Sequence, residues 1–132
     1  MLWHIVFGYL VVWRLLPGVR LFGRLHDGYS RGFAAALNAG TRPFHVINYL
    51  GGCAGALVFH GPRLTRLFDR TVAQLHRRLD AETEESLGRR MHFPERWDPF
   101  FADTMTVLDV YHYGTQHYDL HRAQLTLPPA PV

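Results

Sequence analysis

Lysine is missing from this 132-residue chain, and all 14 basic residues are arginine. A GC-rich genome imposes such a bias. Cysteine is nearly missing too: Cys53 stands alone, so no internal disulfide can form, which fits a reducing, cytoplasmic setting. Inside an apolar run, GGCAG, it reads as a small buried filler. The pairing of low hydrophobicity with high charge that marks disorder is absent, since 48% of residues are hydrophobic and only 19% charged. The net charge of +3 is spread along the chain with no arginine stripe, which excludes nucleic acid as the natural partner. The longest apolar run, within LWHIVFGYLVVWRLLPG at residues 2–18, is broken by Arg14 and Pro17. It falls short of the ~20 residues of a spanning helix. It also has no basic leader or small-residue cleavage site. A buried helix is the expectation, with a membrane-peripheral anchor through residues 2–16 as the rival. No period-two strand pattern, internal repeat, Ser-His-Asp or Cys-His arrangement occurs, and GGCAG lacks the strand-to-helix setting of a phosphate loop.

What is present is helical periodicity and histidine. The spacing predicts helices over 2–16, ending at Pro17-Gly18, and over 43–60, opening at Pro43 and closed by Gly61-Pro62. A third runs from Pro62 to Asp80, where Leu64, Leu67, Phe68, Val72, Leu75 and Leu79 form one face and the arginines lie off it. A fourth starts at Thr106, capped by Asp109 three residues on, and runs to about Gln124. Residues 33–38 suggest a short extra helix, and 81–105 an ordered loop packed over the bundle. The tail 128–132 should fray. One domain spanning 1–132, an all-α four-helix bundle, accounts for this pattern. Gly51 and Gly55 would let a neighbouring helix approach closely.

Nine histidines are spread over the chain. His117 and His121 are one turn apart on one helix face, a spacing at which two imidazoles reach one metal ion. His112, five residues before His117, is rotated by about 500° and points elsewhere. Tyr113, His117, His121 and Gln124 make a polar stripe where a bundle helix normally offers its core face, a costly pattern unless the groups are bound to something. A third ligand must come from another element. His45, in the first turn of an apolar helix with Asn48 on the same face, is the interesting candidate.

The segment MTVLDVYHYGTQHYDLHRAQLTL resembles the last helix of the DinB/YfiT-like superfamily, whose pattern there is roughly T-L-x-D followed by HxxxHR-x-Q-L. Here it reads Thr106-Val107-Leu108-Asp109, then His117, His121, Arg122, Gln124 and Leu125. FPERWDPFFADTM before it is similar to the lead-in of actinobacterial members. The likeness is closest over 93–127, looser over 43–80 and weakest over 1–42. It implies a four-helix bundle, up-down-down-up, with a divalent metal such as zinc, nickel or iron. It implies three histidine ligands: His117, His121 and, from the second helix, His45, with His60 in reserve. Asn48, Asp109, Tyr113 and Gln124 would orient the ligand rings. It further implies a small-molecule substrate, with low-molecular-weight thiols used by some relatives as co-substrates in transfer reactions, and hydrolysis as the other chemistry. A non-catalytic bundle that dimerises or binds a protein partner is the alternative.

Overall fold

A computed structural model describes residues 2–124. Gln124 closes the last helix, and the expected frayed tail 128–132, with Leu125, lies outside the described residues. Six helices and one small hairpin follow in order: α1 (Leu2–Phe22), α2 (Asp27–Ala39), α3 (Thr41–Val58), α4 (Pro62–Asp80), α5 (Glu84–Leu87), β1 (Arg90–His92), β2 (Thr104–Thr106) and α6 (Val107–Ala123). The fold is all-α apart from that hairpin. α1 is the hub, packing on α6, α4 and α3 and touching β1.

α1 runs five residues past the expected stop at Pro17. A proline inside a helix removes a hydrogen bond and crowds the preceding turn, at ~3 kcal/mol. Continuation compensates: Val19 becomes fully buried, and Arg20 reaches the Glu82 carboxylate, which is only 5% exposed and also accepts from Tyr111 Oη at 3.0 Å and Ser86 Oγ at 2.6 Å. Val12, Leu16 and Val19 are spaced four and three apart and buried against Val107, Val110 and Tyr113 of α6 and Leu75 of α4. That stripe is the core.

α2 is longer than the expected 33–38. Glycines at 28 and 32 weaken its local signal, yet burial of Ser30 and Ala34 and a cap by His26, whose Nδ1 accepts from the Gly28 amide at 3.1 Å, hold it. α3 has Pro43 in its first turn, as expected. Cys53, however, is exposed rather than a buried filler, because among the described residues nothing covers that side of α3. The close approach uses Gly52 and Gly55, not Gly51: a Cβ on Gly52 would meet His4 Nε2 at 3.0 Å, one on Gly55 would meet the Trp3 indole at 2.0 Å, and one on Gly51 would meet nothing. α4 follows its pattern, with Thr71 and Leu75 buried and Arg63, Arg66, Arg70 and Arg77 exposed. Arg78 instead lies over the Trp13 ring, 3.4 Å from its centroid.

Residues 81–105 do pack over the bundle, but they contain α5 and an antiparallel pair that the sequence does not announce. Three residues per strand are too few to display alternation. The pairing is fixed by Met91 opposite Met105, both buried, and by the Phe93 amide donating to the Asp103 carbonyl at 2.9 Å. His92 ties this hairpin to α2. Its amide donates to Ser30 Oγ at 3.1 Å, its Nε2 to Asp27 at 3.2 Å and its Nδ1 to Asp103 at 3.3 Å. Carboxylates only accept, so both ring nitrogens carry protons and the ring is an imidazolium.

That clamp predicts a pH dependence. Burial pulls the His92 pKa down, but hydrogen bonds to Asp103 and Asp27 and their charges outweigh it and hold the group above its ordinary 6.5. A pKa raised on folding stabilises fully below 6.5, and the contribution is lost as pH climbs through the raised value. The Asp27 carboxyl is held below its ordinary 3.8, chiefly by the His92 hydrogen bond, so its share vanishes only in acid. The urea midpoint should therefore fall as pH rises from 6.5 into the alkaline range, and fall less in His92→Gln. The slope is modest because the two carboxylates are 53% and 75% exposed. Parallel profiles for the two proteins would refute the clamp.

Candidate metal centre and substrate cavity

The capping box at Thr106 sets the start of α6 and with it the direction of every residue behind. Thr106 Oγ1 accepts from the Asp109 amide at 3.1 Å, and Asp109 Oδ2 accepts from the Thr106 amide at 2.8 Å. Asp109 is spent there, exposed and at the opposite end of α6 from His121, so it orients no histidine ring, contrary to expectation. Tyr113, His117 and His121 then fall on one face of α6. They line a cavity of about 340 Å³ together with His45 and Asn48 of α3, His4 of α1, and Trp97 and Asp98 from the segment between the strands.

The α6 histidines touch. Their ring centroids are 4.6 Å apart, and the His4 ring lies 5.6 Å from that of His121. Gly8 makes the room: a Cβ there would stand 2.3 Å from His117 Cδ2. His121 Nδ1 donates to Gln124 Oε1 at 3.0 Å, which fixes the tautomer and leaves the lone pair on the other nitrogen. Of the residues expected to orient a histidine ring, Gln124 is the one in hydrogen-bond contact with His121. Tyr113 donates its one hydroxyl proton to Asp98 at 2.8 Å and sits 3.3 Å from His117 Nδ1. Burial first, then the charge of Asp98 and the hydrogen bond to it, push the Tyr113 phenol far up, so it remains a donor. His117 Nε2 donates to the His4 carbonyl at 3.1 Å. Burial, then the neighbouring His121, hold the His117 pKa below 6.5, and the same two causes lower His4. Both are neutral imidazoles at neutral pH.

The cavity thus gathers all three expected ligands and two of the expected helpers, Asn48 and Tyr113. His60 is exposed at the far end of α3 and does not line it, and His112 faces a separate groove between α4 and α6. His4 and Asp98 also line the cavity, and spacing alone did not single them out. His4 sits one and two turns ahead of Gly8 and Val11 on α1, and a histidine facing a glycine in an apolar run is the one hint it left.

The donor chemistry suits a divalent ion, since neutral imidazole is a ligand for zinc, nickel and iron alike. The convergence is incomplete: among the described residues no three His, Cys, Asp or Glu groups close on one point, and His117 Nε2 is held by the His4 carbonyl. That bond leaves the His117 lone pair on Nδ1, 3.3 Å from the Tyr113 hydroxyl, as the nitrogen open to an ion. No curated protein and no solved structure matches the chain. A family model described as the DinB superfamily matches residues 1–125, taking in the stretch 1–42 where the resemblance was weakest, and with the histidine-bearing α6 inside the match the chain belongs to the DinB superfamily.

Proposed function

We propose that this protein holds a divalent metal (zinc, nickel or iron) through His45, His117 and His121, and acts on a small molecule in the cavity they line. The reaction class is metal-dependent hydrolysis or transfer to a low-molecular-weight thiol. The observation that carries the reading is the gathering of His45, from α3, into the same cavity as the touching pair His117 and His121. When bound, such an ion supplies Lewis-acid chemistry and lowers the pKa of a water or thiol brought to it. The chain's own groups do the rest. Gln124 holds the His121 ring in one tautomer, Asp98 holds the Tyr113 hydroxyl as a donor at the cavity wall, and Phe44 and Leu120 add apolar lining.

Metal analysis of the purified chain tests this. Stoichiometric metal is expected, lost in His117→Ala and in His121→Ala; a metal-free wild type of equal stability would overturn the proposal. His45→Ala against His60→Ala decides the third ligand, with loss expected only for His45. Gln124→Ala should weaken metal binding by roughly 10–100-fold, the usual cost of losing a group that orients a ligand ring.

The reading places the protein in the cytoplasm, with α1 as a core helix. Trp3–Phe22 is long and apolar enough to cross a membrane, longer than the sequence run suggested. Its fully buried Val12, Leu16 and Val19 give that apolarity a use inside the fold. A second reading, a homodimer, is favoured by the outer side of α3. Ile47 is 69% and Leu57 79% exposed, with no charged residue between Pro43 and Phe59. Leu57→Glu should convert such a dimer to monomer in sedimentation; a monomeric wild type would remove this reading.

A further inference from the structure

A second chamber of about 230 Å³ lies beside the histidine cavity, between α1, α2 and the hairpin. The two adjoin across a common wall: Val11, Phe44, Trp97 and Phe101 line both. The second differs sharply in chemistry. The first carries four histidines, Asp98 and Asn48, whereas almost no polar atom faces the second. Two aromatic pairs stand in its wall, beside aliphatic groups and the stem of Arg14. Phe22 stacks on Phe33 at 5.5 Å and 16°, and Phe44 on Trp97 at 4.5 Å and 24°, the latter pair standing where the chambers meet.

The wall is built, not incidental. Trp97 Nε1 donates to the Leu37 carbonyl at 2.8 Å, while the Arg96 amide donates to Asn38 Oδ1 at 3.2 Å and its guanidinium to the Asn38 carbonyl at 3.1 Å. These bonds fix the segment over the C-terminal end of α2 and hold the indole upright at the junction. α1 contributes Gly18, where a Cβ would meet no atom within 4 Å. The space is thus open on the helix side as well. A space of this kind is wasteful unless something apolar fills it.

We infer that the substrate is bipartite, with a polar reacting head among the histidines and a flat, uncharged ring in the aromatic chamber. The ring is specified by the walls: stacked and edge-on aromatic contacts suit a flat apolar group, and a tail with hydrogen-bonding groups would lose its water without finding partners. A polar thiol does not suit this chamber; it belongs on the histidine side, and the ring-bearing molecule is its reaction partner. This inference rests on the proposed function for what happens at the head, but not for the tail, whose binding needs no metal.

The test uses the full chain, metal-loaded and chelator-treated, with benzyl alcohol, 2-phenylethanol and 4-phenylbutanol as probes and ethylene glycol as control. Binding is followed by Trp fluorescence and by amide NMR shifts, with metal content measured on the same samples. The aryl alcohols should bind both forms and shift Gly18, Phe33 and Met91, with affinity rising roughly three- to fourfold per methylene buried, and ethylene glycol should not. Gly18→Leu fills the chamber from the helix side and should weaken binding at least tenfold with thermal stability unchanged or raised. Phe33→Ser, at a half-exposed wall position, should weaken it severalfold and serves if Gly18→Leu does not fold. Full affinity retained in whichever of these variants folds, or shifts confined to other faces, overturns the inference. Ring binding by a protein that takes up no metal when metal is offered would sink the metal reading alone; metal uptake without ring binding would sink this one alone.

Discussion

Gly8→Ala should destabilise the protein by about 1–3 kcal/mol, the usual cost of overpacking, and abolish the metal binding proposed for His117. The same change at Gly18, ten residues on in the same helix, should stabilise by about 0.5–1 kcal/mol through helix propensity alone. The two substitutions are chemically identical and differ only in what a methyl group meets. At Gly18 it meets nothing within 4 Å; at Gly8 it meets the His117 ring at 2.3 Å and His117 Cβ at 3.1 Å. The ring cannot give way by rotating its tip, since its own Cβ is already in tight contact. The whole side chain has to move off α1, away from His121. Thermal melts and metal stoichiometry on the pair would decide it. If both variants melt above wild type, or Gly8→Ala keeps stoichiometric metal, the assigned packing of α1 on α6 at the site is wrong.

Leu16→Ala carries the second large effect. Leu16 is fully buried in the stripe shared by α1, α4 and α6. A Leu-to-Ala cavity in a close-packed core costs about 3 kcal/mol, which lowers Tm by roughly 10 °C in a domain of this size. Leu57→Ala is the control. Leu57 is 79% exposed, and its truncation should change stability by less than ~0.5 kcal/mol in the monomer. Equal losses at the two positions would mean that α3, not α1, runs through the core.

Those two leucines also show where reading the sequence succeeded and where it stopped. Both lie in apolar helical runs, and α3 is the less interrupted of the two, yet α1 is the core helix and α3 keeps one side uncovered. Periodicity found α4 because it sets one apolar face against a polar one, and the start of α6 was legible because Thr106 and Asp109 form a local box that needs nothing distant. Pro17 misled because its penalty is local, whereas what overrides it, the burial of Val19 and the Arg20–Glu82 pair, is distant. The hairpin was illegible for the same reason, its register resting on Met91 meeting Met105. At the site, the pair His117 and His121 could be read from spacing. His45 stood out by its place in the first turn of an apolar helix, and the resemblance assigned it as third ligand. Asp98 could not be found either way, since it reaches the cavity through an irregular segment, and His4 was only one of six histidines open as a third ligand, since α1 does not mark its inward face in sequence.

The hub position of α1 has a consequence for synthesis. His4 and His117 are in contact across 113 residues, so the first helix made is completed by the last one made. At ribosomal rates of about 10 residues per second, α1 waits on the order of 10 s for its main partner. During that interval its apolar stripe lacks the cover that α6 provides, with only α4 and α3 made to pack on α1. Long-range closure of this sort also slows folding once the chain is free. Yield in a cell should therefore depend on chaperone supply more than the melting temperature alone would indicate.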